Sequence, residues 1–166
     1  MTLTHLIPPP YRNPTRATRA ELWMGEAPWP PTPRTSRKRK EGIRYEISVH
    51  QEFYSRYGNL YLPSQWFLFY DPRGRRRFCQ PDGLLFLPSG KLIVLEIKLS
   101  HTLTAYYQIL NLYFPVLKTL FPKWTLIPCE VVRWFDPSTL FPVQPKLCAD
   151  PLHAVKDAFN VHIWSP

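Results

Sequence analysis

Residues 80–100, "QPDGLLFLPSGKLIVLEIKLS", decide how the rest of the chain is read. Two apolar runs, 84–87 and 91–99, flank Pro88-Ser89-Gly90. Side chains alternate across a strand, so Leu92, Val94, Glu96 and Lys98 share one face and Ile93, Leu95, Ile97 and Leu99 the other. Pro88-Ser89 suits a type I turn, with Gly90 in the left-handed position of a three-residue hairpin loop. That loop pairs Leu87 with Lys91 and, counting outward, Asp82 with Glu96. Asp82, Glu96 and Lys98 then lie on one face, whereas a two-residue Ser89-Gly90 turn would set Asp82 opposite Ile97 and separate the acids.

Two carboxylates and a lysine on one sheet face meet the requirements of a hard divalent cation. Mg²⁺ takes carboxylate and water oxygens, and a phosphate oxygen can complete its shell. The lysine offsets negative charge that builds in an in-line displacement at phosphorus. Without a cation, Asp82 facing Glu96 is a repulsive pair in which one carboxyl keeps its proton.

The flanking segments supply a scaffold. Ile43, Ile47, His50, Phe53, Tyr54 and Tyr57 recur at spacings of three and four, which predicts an amphipathic helix from Glu41 to a stop at Gly58, with Glu46 inside its apolar stripe. Strands are expected at 66–70, 78–87, 91–99 and 125–135. Helical spacing runs over 104–120, with Ser100, Thr102 or Thr104 as N-cap and a kink at Pro115. A short helix at 151–159 follows. This order predicts an α/β domain with a mixed central sheet and helices on its faces.

In these residues the chain resembles the PD-(D/E)xK nuclease superfamily: Pro81-Asp82 stands as the PD, Glu96-Ile97-Lys98 as the (D/E)xK, and "GIRYE" at 42–46 as the upstream helix with a further acid. The resemblance covers roughly residues 42–135. It implies a restriction-endonuclease-like αβββαβ core and a Mg²⁺-dependent deoxyribonuclease, with Mn²⁺ as substitute, that hydrolyses phosphodiesters with metal-activated water. Carried over by position, Asp82 and Glu96 bind the metal, the Ile97 carbonyl and Glu46 complete its shell, and Lys98 is catalytic. Gln108 followed by Tyr113 resembles the glutamine and tyrosine helix of the RecB-like and lambda-exonuclease-like branches, where the glutamine orients the site or substrate. The spacing departs from QxxxY by one residue, since Leu112 stands where that tyrosine would be. By the same analogy a small chain of this kind suits phage, mobile-element or bacterial DNA processing. A noncatalytic nucleic-acid-binding or assembly protein on the same fold, and a dimeric junction resolvase, are the alternatives.

Composition fits a polyanionic partner. The 166 residues suffice for one domain, and of the net charge of +9, residues 1–40 carry eight Lys/Arg against two acids. Residues 1–39 hold eight prolines and read as an extended, partly disordered arm, with a short helix near 18–24 and with Trp23 and Trp29 as anchors on the domain or on a partner. Residues 40–166 form the nuclease-like domain. Arg37, Lys38, Arg39 and Lys40, and the loop residues Arg73, Arg75, Arg76 and Arg77, are expected to touch the DNA backbone with little sequence specificity. His50 reads as a satisfied core histidine one turn from Glu46, and His101 as a substrate contact or a cap. Cys79, Cys129 and Cys148 lack zinc-site spacing and read as reduced, buried thiols. No long apolar run or signal-like N-terminus is present, so the expected setting is cytoplasmic with no membrane partner, and a homo-oligomer is allowed. P-loop, GxSxG, HExxH and GxGxxG motifs are absent, which leaves those hydrolase and dehydrogenase classes without a foothold.

Overall fold

The computed structural model describes residues 3–30 and 36–166; the parts of the Pro-rich arm at 1–2 and 31–35 lie outside the described residues. Helix α1 spans Arg37–Tyr57 and starts earlier than its apolar pattern suggests, because Ser36 caps it by accepting the Arg39 amide at 3.2 Å. The basic run at 37–40 is therefore its first turn. The buried stripe is Tyr45, Val49, Phe53 and Tyr57, each four residues from the last. Ile47 and Tyr54, expected inside, are 47% and 55% exposed. The sequence contained two overlapping stripes, and the larger rings at 45, 53 and 57 won the core.

Six strands form the main sheet in the order β2-β5-β6-β7-β9-β8: β2 Tyr61–Pro63, β5 Gly83–Phe86, β6 Lys91–Ser100, β7 Thr125–Trp134, β8 Lys146–Leu147 and β9 Asn160–Ile163. β2, β5 and β6 pair antiparallel, whereas β6 to β8 are parallel, so the sheet is mixed and the protein is of the α/β class. Helix α1 covers one face, against Ile93, Leu95, Ile97, Ile127 and Val131. On the other face lies a helical segment of three parts: α2 Leu103–Tyr107, a π-helical turn Gln108–Tyr113, and α3 Phe114–Leu120. Its Ile109, Tyr113, Val116 and Leu117 pack with Leu84, Leu92, Val94 and Val161. Continuous apolar runs such as 92–95 follow from burial on both faces.

Three expectations fail locally. The strand expected at 78–87 is two strands, β4 Arg76–Cys79 and β5, in different sheets. Pro81 has no amide to continue a ladder, so the chain bends there. The expected helix at 151–159 is only a 3₁₀ turn, Pro151–His153, followed by β9. Asn160 anchors that change: its buried side chain bonds the carbonyls of Pro128, Val155 and Ala158 and accepts the Val155 amide. The helix expected near 18–24 is strand β1, Arg19–Leu22, which pairs with β3 Phe67–Tyr70 and completes a three-stranded sheet with β4. Pairing with the open edge of β3 outweighs the helix propensity of Ala20, Glu21 and Leu22.

The arm also reaches the π-turn. Pro115 cannot supply the amide that an α-helix would donate to the Asn111 carbonyl, and that carbonyl accepts the Thr15 amide at 2.6 Å instead. The Asn111 side chain donates to the Tyr11 carbonyl at 2.7 Å. Asn111→Ala should therefore loosen residues 11–15 by about 1 kcal/mol. Faster tryptic cleavage after Arg12 and Arg16, with the domain intact, is the expected readout. Among the described residues, no helix is long and apolar enough to cross a membrane.

Candidate functional site

The hairpin has the three-residue loop that its sequence specifies. Gly90 has φ +79°, its amide donates to the Leu87 carbonyl at 3.0 Å, and the Leu87 amide donates to the Lys91 carbonyl at 2.9 Å. Gly83 pairs with Leu95, which sets Asp82, immediately before β5, level with Glu96. Gly83 is required by packing, not by a turn: a Cβ there would lie 2.7 Å from the Tyr61 ring.

Asp82 Oδ2 accepts the Ile97 amide at 2.7 Å, and Lys98 Nζ meets Glu96 Oε1 at 2.6 Å. A residue's amide and carbonyl point to the same side of a strand, so the Ile97 carbonyl also faces the Asp82 side, beyond the last paired residue of β5. Glu96 is 1% exposed, and its Oε2 is buried with no hydrogen-bond partner. Burial, then the charges of Glu96 and Glu46, hold the Asp82 carboxyl well above the usual carboxylate range. Burial likewise raises Glu96, with Lys98 pulling the other way. Burial alone would lower Lys98, but Glu96 and Asp82 outweigh it and keep the ammonium charged. The cluster is thus short of positive charge.

Glu46 projects from α1 into a groove of about 460 Å³ that it shares with Lys38, Arg39, Ile97 and Lys98. Its side chain is 36% exposed and does not sit in the apolar stripe. His50 is held between Tyr61 Oη at 2.6 Å, Ser64 Oγ at 3.3 Å and Glu46 at 3.4 Å, and is fully engaged in that chain. The first turn of α1 holds Arg37, Lys38, Arg39 and Lys40 and no acid, against the helix dipole. Each such charge is unfavourable by about 0.3–1 kcal/mol, a cost that a bound polyanion removes.

The π-turn explains the extra residue between Gln108 and Tyr113. A π-turn brings residues five apart onto one face, as an α-turn does for four. Gln108 Nε2 donates to Tyr113 Oη at 2.5 Å, and that hydroxyl donates to the Gln80 carbonyl at 3.1 Å. Glu96 and Asp82 act on the buried Tyr113 hydroxyl and, after burial itself, raise its pKa. Tyr113→Phe, which strips a partner from Gln108 and from Gln80, is expected to lower stability by about 1–3 kcal/mol, readable as a fall in Tm.

The basic loop lies apart from the α1 groove. Asp71 binds Arg75 at 2.8 Å and accepts the Arg73 and Arg75 amides, while Arg76 lies over the Trp23 and Phe78 rings. Arg76 and Arg77 line a second cleft that reaches Gln108 and Tyr113.

One buried acid was not picked out from the sequence. Glu130 stands beside Glu96 in the parallel register, yet its carboxylate is taken up by His101 Nδ1 and by the Thr102 amide at 3.0 Å. His101 is buried against Phe135 and Phe141, so it is neither a substrate contact nor a cap. A charge within the apolar run 126–132 was the available signal. Cys79 and Cys129 are buried free thiols, with Cys79 pushed up to about 12 by burial, and Cys148 is half-buried.

Among the described residues, no three His, Cys, Asp or Glu side chains already stand in metal-binding geometry. Compared with family models, curated proteins and solved structures, the chain matches none of them.

Proposed function

We propose that the protein is a metal-dependent deoxyribonuclease with a restriction-endonuclease-like core. The observation that carries this reading is the meeting of Asp82, Glu96 and Lys98 at the end of β5, with Asp82 on the Ile97 amide and Glu96 on Lys98. Along the main sheet the order α1, β2, β5, β6, helical segment, β7 supports the αβββαβ reading, with β2 in place of the strand expected at 66–70, which lies in the three-stranded sheet.

The residues present fit a hard divalent cation. Two mutually repelling carboxyls with raised pKa, and a buried Glu96 oxygen without a partner, form a donor set that a cation would satisfy. Asp82, Glu96 and the Ile97 carbonyl would hold Mg²⁺ or Mn²⁺, with Glu46 reaching it from α1. When bound, the ion supplies Lewis-acid polarisation of phosphate and a more acidic water. Lys98 stays cationic and stabilises charge on the scissile phosphate, while Gln108 and Tyr113 hold the wall behind Glu96. Lys38 and Arg39 lead the DNA backbone along the groove toward Lys98.

The test incubates purified protein with single-stranded, duplex and branched DNA in Mg²⁺ or Mn²⁺, then adds chelator. Cleavage that chelator stops supports the proposal. Binding without cleavage of any substrate overturns it in favour of a noncatalytic DNA-binding protein on this scaffold.

A further inference from the structure

The second cleft bears on which DNA the site takes. It measures about 910 Å³ and opens beside Gln108 and Tyr113, the pair that backs Glu96. One wall is aromatic: Trp29 and Trp66 have ring centroids 5.2 Å apart, and Trp29 and Phe78 6.0 Å. Trp29 is 55% exposed, and its ring is inclined by 60° to Trp66 and by 80° to Phe78, so an apolar indole with incomplete packing stands at the cleft. Arg76 and Arg77 add positive charge along the same wall. Asp71, an acid in this lining, is bound to Arg75 at 2.8 Å and lies 3.9 Å from Arg77, so Arg76 is the less neutralised of the two arginines. Tyr11 also lines the cleft, and Glu96, Lys98 and Asp82 all act on its hydroxyl, which ties the cleft to the acid cluster.

Aromatic faces flanked by arginines hold unpaired bases. Any base has a π-face, and stacking it is favourable whatever its identity. Bases within a duplex are stacked on their neighbours and offer only edges in the grooves, so this wall discriminates by pairing and not by sequence. The α1 groove, by contrast, combines Lys38, Arg39 and Lys98 with Glu46 and has no aromatic ring among the described residues of its lining, and serves the backbone.

From this arrangement we infer that the cleft walled by Trp29, Trp66 and Phe78 binds unpaired nucleotides, so that the substrate is single-stranded DNA or a single-stranded extension, and not blunt duplex. This inference rests on the nuclease reading for its place beside the acid cluster, but its test does not use cleavage.

Fluorescence anisotropy in chelator compares a short labelled single strand with a blunt hairpin duplex at fixed salt, using wild type, Trp29→Ala and Trp29→Phe. Wild type is expected to bind the single strand at least about tenfold more tightly than the duplex, and Trp29→Ala to weaken single-strand binding by about tenfold. Trp29→Phe, which keeps a π-face, should recover most of that loss, and duplex binding should not move. Equal affinity for the blunt duplex, or a Trp29→Ala loss that is absent or shared equally by both DNAs, overturns the inference. Because chelator removes cleavage in every arm, this outcome is independent of whether the protein cuts DNA.

Discussion

Replacing Asp82 by asparagine is expected to abolish metal-dependent cleavage and, in the metal-free protein, to raise thermal stability at neutral and alkaline pH. The asparagine oxygen can still accept the Ile97 amide, which Asp82 now accepts at 2.7 Å, so the strand end keeps its bond. What is lost is a carboxyl held above its ordinary pKa by burial and by Glu96 and Glu46. Between the unfolded and folded pKa values the native state binds more protons, so native stability falls as pH rises through the folded value. Above that value the folded chain holds a buried, repelled carboxylate, and the amide relieves it. A gain of about 2–4 °C in Tm, the equivalent of ~1 kcal/mol, is expected at pH 8 and little or none near pH 3. Mn²⁺ should stabilise wild type more than the variant, since a cation that binds the folded state alone shifts unfolding by mass action. A Tm that falls at pH 8, or cleavage that survives, would contradict this account of Asp82.

Glu130→Ala should act in the opposite direction, with a large loss of stability. Glu130 is fully buried, and its two oxygens serve His101 and the Thr102 amide at the start of α2. Removing one member of a buried polar pair leaves the other without a partner, which costs about 3–5 kcal/mol. For a chain of this size that is a fall of roughly 10 °C in Tm. Chemical denaturation should show it as a lower midpoint with an unchanged slope. Two acids side by side in the parallel register, Glu96 and Glu130, are thereby separated by experiment. Removing the first takes a ligand from the proposed cation site, and removing the second disconnects β7 from the helix that carries Gln108.

Much of this arrangement was legible in the sequence, and the exceptions have physical causes. The loop Pro88-Ser89-Gly90 is short and chemically specific, and period-two alternation then places Asp82, Glu96 and Lys98 together. Pro81 was equally visible, but its effect depends on whether β4 has another partner. That partner is β3, whose far edge is in turn covered by β1 from the arm. Strands β1 and β9 are four residues each and gain their stability from pairing and from Asn160, which local patterns do not encode. The face of α1 was misjudged because Ile43, Ile47 and Tyr54 form a second plausible stripe, and only the packed sheet chooses between them. The spacing of Gln108 and Tyr113 was visible as one residue too many. Its resolution by a π-turn also needs Thr15 to take the carbonyl that Pro115 leaves open.

The central claim is that Lys98, beside Glu96 and Asp82, works on a phosphodiester. Its most direct measurement is the initial rate of DNA cleavage in Mn²⁺ by wild type and by Lys98→Ala, side by side, with thermal denaturation to confirm that both are folded. Loss of an electrostatic stabiliser of this kind should slow cleavage by about 10²–10³-fold, with chelator abolishing the wild-type rate. Equal rates in the two proteins, or a wild-type rate that chelator leaves unchanged, would contradict it.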